Sequence, residues 1–259
     1  NWQNLLTYDK SFGGHEFSFM LGNEYFKDNY YLSSAQRRGY NNDLVPYLSG
    51  GQNIFQASDN ATERVLISYF SRVTYNYKGK YLASASYRRD GSSRFGPNKK
   101  WGSFPSLSLG WIMSDESFMN RIEPVSHFKW RASYGFTGND QFADYRWIGS
   151  MAQGRMALGN SLGASYYPSD FSNPDLEWER TRQLNMGVDL GIFDGRLSLE
   201  ADYYISKSDG LLLDVPVPSV TGFTNVFRNI GKLENKGLEL NINSHNLTGE
   251  FSWTTQMNF

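Results

Sequence analysis

Apolar and polar side chains alternate along most of the chain with a period of two. In RLSLEADYYIS, Leu197, Leu199, Ala201, Tyr203 and Ile205 share one side, and Arg196, Ser198, Glu200, Asp202 and Tyr204 the other. The segment before it repeats the pattern, with Leu184, Met186, Val188 and Leu190 opposed to Gln183, Asn185, Gly187 and Asp189. Successive side chains of a strand point to opposite faces, so each segment is a strand with one apolar and one wet face. Between them lies FDGR, whose Asp194-Gly195 pair suits a type I′ hairpin turn. Helical periodicity is scarce. Read throughout, the pattern predicts about ten strands, over 1–9, 15–26, 64–77, 80–89, 102–113, 128–137, 181–192, 196–206, 236–245 and 250–259.

Most of these strands run to roughly ten residues, the length that crosses a bilayer at a tilt. Their connections alternate in length. DKSFGG, KGK, the segment around SDESFMNRIEPVSH, FDG and NLTG are the shorter kind. The longer kind covers 27–63, 90–101, 138–180 and 207–235. In an up-and-down meander, alternate turns lie at opposite ends of the sheet. Short turns at one end and long loops at the other are the pattern of an outer-membrane barrel. Tyr75, Tyr77 and Tyr81 gather at a short-turn end, and Tyr87, Trp101, Phe104, Trp178 and Phe227 near long-loop ends, as two aromatic girdles would. A soluble β-rich binding module or adhesin is the alternative, and it requires a second sheet packed over Leu184, Met186, Leu197 and Leu199. The membrane reading makes Leu199→Arg costly, as a change at the midplane of the lipid face, and Ser198→Arg tolerated.

Composition narrows the function. Lys and Arg total 25 and Asp and Glu 26, a formal net charge of −1, which argues against a nucleic-acid binder. Cysteine is absent, so thiolate metal sites and cysteine nucleophiles are excluded. The three histidines, His15, His127 and His245, have no second His or Cys at ligand spacing, so no metal site is expected. No catalytic motif and no cofactor fingerprint occurs, and no pair of carboxylates stands out from the wet faces. The chain opens NWQNLLTYDK, without an initiator Met or a signal segment, and reads as an internal piece of a longer protein.

The remaining chemistry is in the long connections. YRRDGSSRFG, residues 87–96, lacks phosphate-loop spacing and reads as a hairpin tip, its arginines solvated or paired with acidic neighbours. Residues 138–180 exceed what a plain connection needs, which points to a functional loop. Aromatic faces there accompany amide and charged groups, a mixture that suits sugar or peptide ligands. Arg146, Trp147, Tyr166 and Tyr167 are the candidate substrate-binding residues, with ordinary girdle and loop polarity as the competing explanation. Tyr30, Tyr31, Arg37, Arg38 and Tyr40 in 27–63 carry the same two readings.

Four stretches resemble one family. YRRDGSSRFGPNKKWGSFPSLSLGW followed by SDESF, RASYGFTGN, NPDLEWERTRQLNMGVDLGIFDGRLSLEADYY and NIGKLENKGLELNI are similar, in this order, to the barrel of SusC/RagA-like TonB-dependent transporters of Bacteroidota. The resemblance implies an all-β, antiparallel segment of a barrel of about 22 strands, with residues 1–259 a partial barrel domain and the plug domain absent. It implies an outer-membrane location in contact with the lipid bilayer, and import of oligosaccharides or peptides. It also implies a SusD-like surface lipoprotein as cap and energy from the TonB complex through the plug. A siderophore-type receptor is the same fold with other cargo. FSWTTQMNF ends on Phe259 as a barrel-assembly signal does, so a closed ten-strand barrel is the rival of an open, curved sheet cut from the larger ring.

Overall fold

The computed structural model describes residues 1–42 and 44–259. Ten strands form one antiparallel sheet: β1 (Trp2–Phe12), β2 (His15–Arg38), β3 (Asn53–Tyr77), β4 (Tyr81–Ser92), β5 (Trp101–Ile112), β6 (Val125–Asn139), β9 (Glu179–Ile192), β10 (Leu197–Pro216), β11 (Asn225–Leu247) and β12 (Trp253–Asn258). The hairpin of β7 (Met151–Leu158) and β8 (Ser161–Pro168), between β6 and β9, stays outside that sheet. The sheet runs in sequence order from β1 to β12, which are its two edges, so it is open. Asp194 and Gly195 take φ of 53° and 80°, and the Arg196 N–H donates to the Phe193 carbonyl at 3.1 Å, as a type I′ turn requires.

The register carries the stagger that a tilted barrel needs. From the first turn, the pairing row passes through Phe12, His15, Tyr77, Tyr81, Trp111, Trp130, Val188, Ala201 and Leu240. It meets β1 at the strand's end, β6 five residues inside Val125, and β11 seven residues inside Leu247. The short-turn rim therefore slips by about one residue per strand, a tilt of roughly 30–40°. Trp101 and Trp111 lie on one face of β5, ten residues apart, and Trp2 and Phe12 repeat this on β1. Ten residues at about 3.3 Å, so tilted, rise about 25 Å, the height of the apolar band of an outer-membrane barrel.

At the short-turn end the rings touch in series. Phe12–His15, His15–Tyr77, Tyr77–Tyr81 and Tyr81–Trp111 have centroids 5.5, 4.4, 6.1 and 6.2 Å apart. Glu116, in the connection after β5, anchors the last pair by accepting from the Tyr81 hydroxyl at 2.6 Å and the Trp111 indole N–H at 3.3 Å. These two donors, aided by the Lys80 ammonium, hold its carboxyl below the ordinary glutamate range against the opposing effect of burial.

The alternation separates two media. Leu6, Phe19, Val73, Leu107, Met186, Tyr203 and Leu238 share the outer face, where Leu238 is 70 % exposed and Met186 45 %. Among the described residues no second sheet covers this face, which removes the soluble-sandwich alternative. On the inner face, the Arg131 Nε donates to Asp189 at 2.8 Å, and its Nη2 reaches Asp202, two strands away, at 2.6 Å. Gly187 lies between them, and a Cβ there would stand 2.4 Å from the Asp202 carboxylate and 2.7 Å from the guanidinium carbon. Leu199 is only the third residue of β10, close to the short-turn rim rather than the midplane. The row through Met186, Tyr203 and Leu238 stands nearer mid-height.

Three local expectations change. Much of 27–63 and 207–235 is strand, because β2–β3 and β10–β11 continue as hairpins far past the apolar band. Residues 138–180 contain the β7–β8 hairpin. Phe104 and Trp178 belong to no girdle, since both are buried in the protein.

Candidate functional site

The buried apolar core of this otherwise open sheet gathers at its long-loop end. The β5–β6 pairing stops at Ser106–Gly135. Beyond it the Phe104 ring lies so close to Gly138 that a Cβ there would be 2.2 Å away. Trp178 packs edge-on against Phe104 at 5.4 Å and against Phe95 at 4.6 Å. Phe95 and Leu176 are fully buried, and Leu66, Phe136, Phe142, Trp147, Leu212 and Phe227 pack around them.

A polar lattice joins this core to the wall. Asp140 is 9 % exposed and accepts from Arg64 Nη2 at 2.9 and 2.8 Å and from the Ser92 hydroxyl at 3.0 Å. Arg94 donates to Asp144 at 2.7 Å and to the Asp140 carbonyl at 2.8 Å. Arg88 donates to both oxygens of Asp90, at 2.8 and 2.9 Å, and to Ser68. Gly96 presses on the backbone of Pro174, its N–H donating to the Leu176 carbonyl at 3.1 Å, and the Trp178 indole donates to the Lys100 carbonyl at 2.9 Å. Asn229 exchanges hydrogen bonds with the backbone of Glu177 at 3.0 and 2.7 Å. The hairpin tip YRRDGSSRFG is thus a brace for neighbouring loops, and Arg88 and Arg94 are held by acidic partners.

The four candidate residues separate. Arg146 pairs with Asp214 and lies over the Phe227 ring at 4.4 Å. The half-buried Trp147 donates its indole N–H to the Ser93 carbonyl at 3.2 Å. Tyr166 and Tyr167 stand on β8, 68 % and 53 % exposed. Below the core, the inner face forms a concavity of about 640 Å³ lined by Glu16, Asn76, Ser84, Lys129, Arg131 and Asn185 among others. Its lining mixes these amide, hydroxyl and charged groups with apolar side chains such as Leu82 and Leu109, and Arg131 is paired there with Asp189 and Asp202.

The family model for the TonB dependent receptor-like β-barrel matches residues 1–259. The chain belongs to this family. Its barrel stands in the outer membrane, with the apolar face of the sheet toward lipid. TonB-dependent receptor P3 of Formosa agariphila is 40% identical over 99% of the chain, and SusC of Bacteroides thetaiotaomicron 33% over 98%. The chain spans about a quarter of these relatives, 26% of each. The RagAB peptide importer in its closed-closed state superposes with a TM-score of 0.88 at 28% identity, over 99% of this chain and 28% of that one. The siderophore receptor PirA of Acinetobacter baumannii shares the fold, with a TM-score of 0.62 at 11% identity over 99% of this chain and 35% of its own. All four stretches that carry the resemblance to TonB-dependent transporters contribute to, or end beside, the long-loop core. Sequence reasoning missed Asp140 as its centre. The signal was partial: an acidic residue stands directly after GFTGN, but its carboxylate pairs with Arg64 of β3, outside the four stretches, and Arg94 of YRRDGSSRFG reaches only its carbonyl.

Proposed function

We propose that this segment forms part of the barrel wall of an outer-membrane importer of oligosaccharides or peptides, capped by a SusD-like surface lipoprotein and driven through the TonB complex. The observation that carries this reading is the pairing of a lipid-facing belt with a polar inner wall, in a chain closer to a peptide importer than to a siderophore receptor. Within it, Tyr166 and Tyr167 offer exposed aromatic faces to cargo, while Arg146 and Trp147 hold the loop beneath them. The test is uptake by cells carrying or lacking the full-length protein, supplied with labelled oligosaccharides, peptides or ferric siderophores. Loss of oligosaccharide or peptide uptake on deletion is expected. Loss of ferric siderophore uptake alone would overturn the reading.

A further inference from the structure

Above the membrane, β3 keeps a free edge. β4 pairs with β3 only as far as Leu66–Ser92, while β3 continues to Asn53, held on its other side by β2. At Ser93 the chain turns away. The Ser93 N–H donates to the Val65 carbonyl at 2.9 Å, and its hydroxyl accepts from the Val65 N–H at 3.0 Å. Along a strand, backbone polar groups alternate sides, so the odd-numbered residues of this stretch direct N–H and C=O toward the side β4 has left. Tyr145, at φ 64°, accepts from the Glu63 N–H at 2.8 Å through its hydroxyl, standing where the next strand's carbonyl would stand. Beyond it Ala61, Asp59 and Ala57 are exposed, and among the described residues nothing hydrogen-bonds their N–H groups on this side.

We infer that this edge, Ala57 to Ala61, receives an extended peptide with basic side chains as an added β-strand. The inference rests on the importer reading and narrows its cargo. Three further rungs, repeating about every 6.8 Å, each present a donor and an acceptor. A polypeptide backbone matches that alternation, and a sugar chain has no equivalent. Charge selects among peptides. Asp59 and Glu63 lie on one face of the edge; Glu63 is already paired with Lys27 at 2.8 Å, and among the described residues Asp59 has no ion pair. A Lys or Arg beside Asp59 supplies the missing charge. The edge also sits at the loop end of the barrel, where cargo arrives, and an uncovered edge is an open invitation to strand addition.

The test uses the full-length protein in detergent, a fluorescent lysine-containing heptapeptide, and the same peptide N-methylated at alternate residues. Among the described residues the Ala61 N–H makes no bond, so Ala61→Pro deletes one rung at a site where an edge strand tolerates proline. Circular dichroism checks that the variant is folded. Both N-methylation and Ala61→Pro are expected to weaken binding about tenfold or more. Asp59→Lys is expected to shift preference from the basic peptide to an acidic one. Equal binding in all cases, or no binding, overturns the inference. So does protection of the Ala57, Asp59 and Ala61 amides from hydrogen exchange without peptide, because a segment of the same protein or a second copy then covers the edge. Oligosaccharide uptake without peptide binding sinks this proposal and leaves the importer reading standing.

Discussion

The two ends of the sheet are stabilised in different ways. At the short-turn end, rings stand in single file along the pairing row and face lipid, so their environment is the bilayer. At the long-loop end the strands part, and Phe95, Phe104, Leu176 and Trp178 are buried by the protein itself. The first end depends on register and solvent; the second is a small soluble-type core on top of a membrane wall. Position decides what an aromatic residue does here: Trp111 and Trp178 are chemically the same, but one is a float and the other a keystone.

The largest expected contrast is between those two. Trp178→Ala removes a buried indole and should cost about 3–5 kcal/mol, whereas Trp111→Ala should cost less than half as much. Equilibrium unfolding of the full-length protein in micelles, followed by circular dichroism, measures both; equal losses would erase the distinction between the ends. Next, Met186→Arg should cost about 2–4 kcal/mol because it puts a charge near mid-height on the lipid face. Leu199→Arg, near the rim, should cost about 0–1 kcal/mol, and Ser198→Arg, on the inner face, should be tolerated. Folding yield into vesicles orders the three, and a Leu199 effect as large as that of Met186 would contradict the rim position. The smallest effect is in pH. The lowered pKa of Glu116 means that its charge stabilises the folded state above the ordinary glutamate pKa, near pH 4.3. That contribution fades as the pH falls through the lower folded value. Glu116→Gln should therefore melt earlier than wild type at pH 7 and converge with it in acid. An unchanged gap between pH 7 and pH 3 would mean that the carboxylate charge is irrelevant there.

The sheet strands were legible because each crosses a medium that is apolar on one side and aqueous on the other. That asymmetry writes itself into sequence at period two, as in Leu197 to Ile205. Past the bilayer both faces are wet. KDNYYLSSAQRR carries no alternation, although Lys27 to Arg38 is strand. The β7–β8 hairpin was hidden for the same reason: MAQGRMAL and SLGASYYP alternate nothing, and only the turn at Gly159-Asn160, with Gly159 at φ 64°, marks it. The long-loop core was half legible. Its motifs were visible as family resemblance, but their meeting at Asp140 depends on contacts far apart in the chain.

Those separations have a kinetic consequence. Short turns such as Gly13-Gly14 join neighbours in sequence, so hairpin zipping begins with little loop-closure entropy. The Arg94–Asp140, Arg64–Asp140 and Trp178–Lys100 bonds close spans of 46, 76 and 78 residues. Contacts of that separation carry more loop-closure entropy until the intervening strands have paired and shortened the loop. Assembly should proceed from the short-turn rim upward, and the long-loop core should be the last part to lock, a clasp fastened once the wall beneath it is in place.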